Sequence, residues 1–208
     1  MDGGLQAADQ QKTLLYYQEN ADSFAQGTMS ADMSDLRSRF LRLLPPGGRI
    51  LDLGCGSGRD SRAFLDLGYA VDAADGSPEM CRLARELTGQ PVRQMLFGEL
   101  DAREEYDGIW ACASILHLPR QQLPDVLGRI ARALKTGGVL YTSFKHGGFE
   151  GIRGGRYFTD LTLEAFTDLL GAIPDLLITG SWITGDVRPE RENERWLNLL
   201  LKKVPARR

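Results

Sequence analysis

An α/β architecture is predicted, with a mostly parallel sheet, helices on both faces and an antiparallel pair of strands at one edge. Three observations carry it. Strand-like apolar runs alternate with helical segments of about 10–15 residues, a pattern that implies right-handed βαβ crossovers. The first strand candidate runs into "GCGSG", a glycine-rich first βα turn. The last two strand candidates follow one another with no helix between them, as at the edge of a mixed sheet.

The elements read in order as follows. Residues 10–26 and 30–43 have helical apolar spacing, and "PPGG" (45–48) stops the second. "RILDLG" is a buried strand, "RDSRAFLDLG" a helix ending at Gly68, and "YAVDAAD" a second strand. "SPEMCRLAREL" is a helix with Ser77 as N-cap and Pro78 in its first turn. "PVRQMLF" and "YDGIWACAS" are the third and fourth strands. "RQQLPDVLGRIARALK" is a helix closed by Gly137-Gly138, and "VLYTSFK" is the fifth strand. After a long glycine-rich connection, "KHGGFEGIRGGRYFT", come a helix in "TLEAFTDLLGAI" and two strands, "LLITGSWITG" and "RWLNLLLKKV". Neither internal repeat nor low-complexity linker divides the chain.

Composition narrows the function. The chain has 208 residues, is 42% hydrophobic and carries a net charge of −3, so one well-buried core is expected and no broad basic field draws in nucleic acid. The basic end, Lys202, Lys203, Arg207 and Arg208, reads as a solvated tail. Cys55, Cys81 and Cys112 are odd in number and scattered, as in a reduced, cytoplasmic protein. No Cys/His spacing suggests a metal site. The first residues lack the apolar core of a signal peptide, and no apolar run could span a membrane.

In sheets of this kind ligands sit beyond the carboxyl ends of the strands, most often at the first βα turn. Gly54, Gly56 and Gly58 lie there. A P-loop would need a lysine that this turn lacks. A dinucleotide fingerprint would put a third glycine where Arg59 stands, so the glycine pattern decides against NAD. Asp75 ends the second strand 21 residues after Gly54, where an acid can accept hydrogen bonds from both hydroxyls of a ribose.

"ILDLGCGSGRD", "DAADGSPEM", "YDGIWACASILHLP" and "ALKTGGVLYTSF", in this order, resemble the successive motifs of class I S-adenosylmethionine-dependent methyltransferases, over about residues 48–145. The chain looks closest to small stand-alone bacterial members, including those similar to tellurite-resistance methyltransferases. The resemblance implies a Rossmann-like seven-stranded sheet with an antiparallel C-terminal hairpin. It also implies a single domain over 1–208, made of an N-terminal helical cap (1–44), a cofactor core (48–145) and an acceptor side (146–208). Gly54, Cys55 and Gly56 would face the methionine part of S-adenosylmethionine, Cys112 and Ala113 would line it, and Asp52 would bind its amino group directly or through water. Asp75, with Gly76, would take the ribose. Many relatives carry an acid after the third strand that meets the adenine amino group. Here Leu96 or Phe97 takes that place, so adenine would be held by main chain and apolar packing around Phe97, Glu99 and Leu100. Tyr17 would contact the cofactor from the N-terminal segment, as a lid or as ordinary core packing. His117 is either a general base or a packed, hydrogen-bonded side chain. Arg188 or Arg191, and Arg153, Arg156 and Tyr157, are within reach of an acceptor if their loops fold towards the site.

These expectations describe a cytoplasmic enzyme, monomer or homodimer, that methylates a small molecule and releases S-adenosylhomocysteine. A tRNA nucleoside methyltransferase, a non-catalytic S-adenosylmethionine-binding module and a nicotinamide dehydrogenase are the alternatives.

Overall fold

A computed structural model describes the backbone of residues 2–188, 191 and 193–205, with side chains from residue 10 onward. Helices α1 (Asp2–Glu19), α2 (Ala21–Met29) and α3 (Ser34–Leu41) precede β1 (Arg49–Leu53). Then follow α4 (Arg59–Asp66), β2 (Ala70–Asp75), α5 (Pro78–Thr88), β3 (Val92–Gln94), β4 (Tyr106–Ala111), α6 (Leu123–Ala133) and β5 (Leu134–Lys145). The remainder is β6 (Glu150–Arg153), β7 (Arg156–Thr159), α7 (Leu163–Leu170), β8 (Leu176–Gly185) and β9 (Arg195–Lys203).

Seven strands form one sheet in the order β3-β2-β1-β4-β5-β9-β8. The first five are parallel; β9 runs antiparallel to β5, and β8 to β9. Strand order reverses between β1 and β4, which opens a crevice at their carboxyl ends. Both faces of β1 are covered, as the apolar run "ILDL" requires. Ile50 packs with Phe40, Phe64 and Trp110 on one face, and Trp110 stacks on Tyr141 at 4.0 Å. Leu51 and Leu53 join the larger core built on α6 and α7. Asp52 shares the Ile50 face at the strand's end, which carries a carboxylate to the rim of the crevice.

The structure departs from the sequence expectations in five places. The first helix breaks at Asn20, whose side-chain amide donates to the Tyr16 carbonyl at 2.8 Å and competes with helix continuation. Tyr17 and Phe24 still meet across the break, with ring centroids 5.1 Å apart. Strand β3 is cut to three residues because Leu96–Leu100 turns into a short 3-10 segment, its start capped by the Glu99 carboxylate accepting from the Leu96 amide at 2.7 Å. Helix α6 ends at Ala133 rather than at Gly137-Gly138. Leu134 already pairs with Tyr106, and the two glycines lie in an irregular stretch of β5 before pairing resumes at Val139. The connection after β5 is no plain loop: Gly154 and Gly155, at φ +56° and +80°, close a two-residue hairpin turn between β6 and β7. Finally, Lys203 is buried and donates to the Leu134 carbonyl at 2.7 Å, so it is not part of a solvated tail. Arg207 and Arg208 lie outside the described residues. No helix among the described residues is long and apolar enough to cross a membrane.

Candidate active site

The β1–α4 turn is built by main chain. Gly54 and Cys55 both donate their amides to the Ala74 carbonyl, at 2.8 and 3.0 Å, tying the turn to the end of β2. Gly54 adopts φ +80°, and a Cβ there would come within 2.4 Å of the Ser114 Cβ. Gly56, at φ +56°, faces open space and donates its amide to one oxygen of Asp75 at 2.9 Å. The other Asp75 oxygen accepts from the Ser77 amide at 2.8 Å. Burial raises the Asp75 carboxyl against the pull of these amides.

One pocket brings together Tyr17, Asp52, Gly54, Cys55, Gly56, Asp75, Gly76, Phe97, Cys112, Ala113 and His117. Glu99 and Leu100 do not line it: the Glu99 carboxylate caps the turn described above, and the Leu100 side chain is buried in the main core.

Two buried carboxylates on neighbouring elements behave differently. Asp60 is held by Arg37 and Arg59, each at 2.7 Å, and accepts from Trp110 Nε1 at 3.1 Å. Burial works to raise it, yet the two guanidiniums, Arg59 foremost, leave it below the usual carboxylate range. Among the described residues Asp52 has only the Ser61 hydroxyl, at 2.6 Å. Burial, and then the negative charge of Asp60, push Asp52 up to about 7. An acid poised there ionises readily for an incoming cation.

His117 is buried in the wall of the pocket. Its Nδ1 lies 2.6 Å from the Tyr157 carbonyl, which only accepts, so Nδ1 carries the proton. Nε2 therefore accepts from the Tyr17 hydroxyl at 2.8 Å, and the Tyr17 oxygen in turn accepts from Arg156 at 3.3 Å. Burial pushes His117 down to about 4 and raises Tyr17. Both imidazole nitrogens are committed within the protein.

The same pocket is also lined by Phe24, Lys145, Arg156, Phe158, Asp186 and Trp196, together with Arg188 and Arg191. Arg153 does not reach it but pairs with Asp160 at 2.7 Å, and the Tyr157 hydroxyl donates to Glu150 at 2.9 Å. Lys145, Asp186 and Trp196 were not singled out in the sequence. Lys145 ends β5 directly opposite Trp196 at the start of β9, so strand pairing could have placed both at the crevice.

The acid-tipped β1 and β2 fall in a stretch of the chain that has recognisable relatives. Residues 50–138 match a family model described as a methyltransferase domain. A ubiquinone biosynthesis O-methyltransferase of Xanthomonas campestris pv. campestris is 33% identical over 108 residues, covering 49% of this chain and 45% of that protein. The chain thus spans about half the length of the curated relatives it matches. Among solved structures, the 1,6-didemethyltoxoflavin-N1-methyltransferase of Burkholderia thailandensis, with bound 1,6-didemethyltoxoflavin and S-adenosylhomocysteine, superposes with a TM-score of 0.77 at 21% identity. It covers 99% of this chain and 91% of that one. The [4+2]-cyclase SpnF shares the fold at a TM-score of 0.69 and 17% identity, covering 96% of each chain, so the fold alone does not select the reaction.

Proposed function

We propose that the protein is an S-adenosylmethionine-dependent methyltransferase acting on a small molecule. The observation that carries this is the convergence of Asp52, the Gly56 main chain and Asp75 on one pocket whose lining also holds aromatic and polar side chains. The donor set suits the cofactor. Asp75 retains a lone pair on each oxygen for the ribose hydroxyls, beside Gly76. Asp52 suits the methionine ammonium, while Gly54, Cys55 and Gly56 offer close approach of the main chain. Cys112 and Ala113 wall the methionine part. Phe97 and Leu96 supply an apolar wall for adenine, and of the stretch through Glu99 and Leu100 only main chain is left to contribute. The cofactor, when bound, supplies an electrophilic methyl group on a sulfonium and leaves as S-adenosylhomocysteine.

What the protein must add is alignment and dryness. In this reading α1 and α2 roof the pocket through Tyr17 and Phe24, and His117 acts as a positioning residue that orients the Tyr17 hydroxyl. The names of the Xanthomonas and Burkholderia relatives both denote small-molecule acceptors, and the acidic balance of the chain disfavours a tRNA substrate. A cytoplasmic monomer or homodimer, with all three thiols free, completes the proposal. Calorimetric titration with S-adenosylmethionine, S-adenosylhomocysteine and NADH tests it. Micromolar binding of the two sulfur nucleosides, lost in Asp75→Ala, is expected; preference for NADH or no binding would overturn it.

A further inference from the structure

Among the described residues five cations line the pocket, and four have carboxylate partners. Arg59 pairs with Asp60 and Arg188 with Asp186, while Lys145 and Arg191 share Glu194. Arg156 has no carboxylate partner among the described residues. It opens β7 directly after the Gly154-Gly155 turn, and its guanidinium lies against three rings. The distances are 4.6 Å to the Tyr16 centroid, 5.7 Å to Tyr17 and 5.2 Å to Phe158. Among the described residues its buried Nε meets no acceptor, and the 3.3 Å contact to the Tyr17 hydroxyl is its one side-chain hydrogen bond. That hydroxyl gives its own proton to His117 and carries no charge to offset the guanidinium.

Rings hold and orient a guanidinium, but they do not neutralise it. Half-buried positive charge without a counter-ion is costly, and fixing it in an aromatic box adds ordering cost. A ligand that brings the missing negative charge would offset both. We infer that the acceptor is an aromatic anion whose charge is taken up by Arg156. Tyr17, Phe24, Phe158 and Trp196 line the same pocket and give it walls suited to a flat ring. This inference rests on the methyltransferase reading for what fills the rest of the pocket.

The test is binding of matched aromatic pairs that differ only in charge: 3,4-dihydroxybenzoate against 3,4-dihydroxybenzamide, salicylate against salicylamide, and nicotinate against nicotinamide. Each is titrated at pH 8 into the full-length protein, with and without saturating S-adenosylhomocysteine. The wild type should bind at least one acid tenfold or more tightly than its amide. Arg156→Gln should lose that preference while keeping its affinity for S-adenosylhomocysteine. Arg156→Lys, which keeps the charge but not the planar fork, should retain part of it. No preference for any acid, or a preference that survives in Arg156→Gln, overturns the inference. The two readings fail separately. A protein that binds S-adenosylhomocysteine but ignores charge keeps the methyltransferase reading and loses this one. One that selects the acids but never binds S-adenosylhomocysteine loses the methyltransferase reading and keeps only the aromatic-anion site at Arg156.

Discussion

At the scale of single residues, the chemistry turns on which polar atoms are already spent. His117 has spent both: Nδ1–H on the Tyr157 carbonyl and Nε2 on the Tyr17 hydroxyl. His117→Asn should therefore keep more than a tenth of the wild-type turnover. The kcat/KM profile should show no ascending limb that the substitution removes. A loss of a hundredfold or more, with fold and cofactor affinity intact, would make His117 the base instead. Asp52 has not been spent in this way. It is pushed up to about 7, so at pH 6 it is mostly protonated, and a cationic amino group beside it would drive the proton off. S-adenosylhomocysteine binding at pH 6 should release close to one proton, and affinity should fall as pH drops below 7. Calorimetry in buffers of different ionisation enthalpy measures this directly. Asp52→Asn should abolish the buffer dependence; if wild type shows none, the ammonium does not sit at Asp52.

At the scale of elements, what was legible followed from local pattern. β8 and α5 lie where the sequence placed them because their signals are complete: alternation along the strand, and for α5 a Ser77 cap, Pro78 and a following glycine. The elements misjudged were those decided by a competing local bond or by a turn. Asn20 breaks a helix that apolar spacing alone would continue, and Glu99 ends β3 by capping a turn. The β6–β7 hairpin was overlooked although a Gly-Gly pair between short β-prone runs is a recognised hairpin signal. That turn matters because it sets Arg156. Gly155 sits at φ +80°, and a Cβ there would lie 3.0 Å from a Tyr16 ring carbon. Gly155→Ala should destabilise the protein by about 1–2 kcal/mol from the backbone term alone, measurable by denaturant unfolding. It should also weaken any selectivity for anionic ligands, because Tyr16 and Arg156 pack as a unit. Unchanged stability would show that the hairpin tolerates a different turn.

At the scale of the whole molecule, the mostly parallel sheet, its antiparallel edge and the ligand side at the first βα turn were readable, since they follow from the βα alternation, the closing strand pair and the glycine turn. The lining by Lys145, Trp196, Arg156 and Phe24 was not, because it is assembled from the end of β5, the start of β9, the hairpin and the N-terminal helices, which only the folded chain brings together. Burying ionisable groups in that assembly leaves a signature in stability. His117 is pushed down from its ordinary value near 6.5 to about 4, so it contributes stability that is fully present above pH 6.5 and is lost as pH falls towards 4. Asp52 is raised from near 4 to about 7, so its contribution is fully present below pH 4 and is lost as pH rises through 7. Between pH 4 and 6.5 the two slopes oppose, and the wild-type profile carries only their difference. Asp52→Asn keeps an acceptor for Ser61 but removes the second slope. The stability of the variant relative to wild type should climb from pH 4 to 7 and level off above, and the variant itself should weaken more steeply in acid than wild type does. Urea unfolding of both proteins at intervals from pH 4 to 8 reads the difference directly. A difference that is flat across that range would mean Asp52 is ionised throughout, and with it the proton release predicted on cofactor binding would disappear.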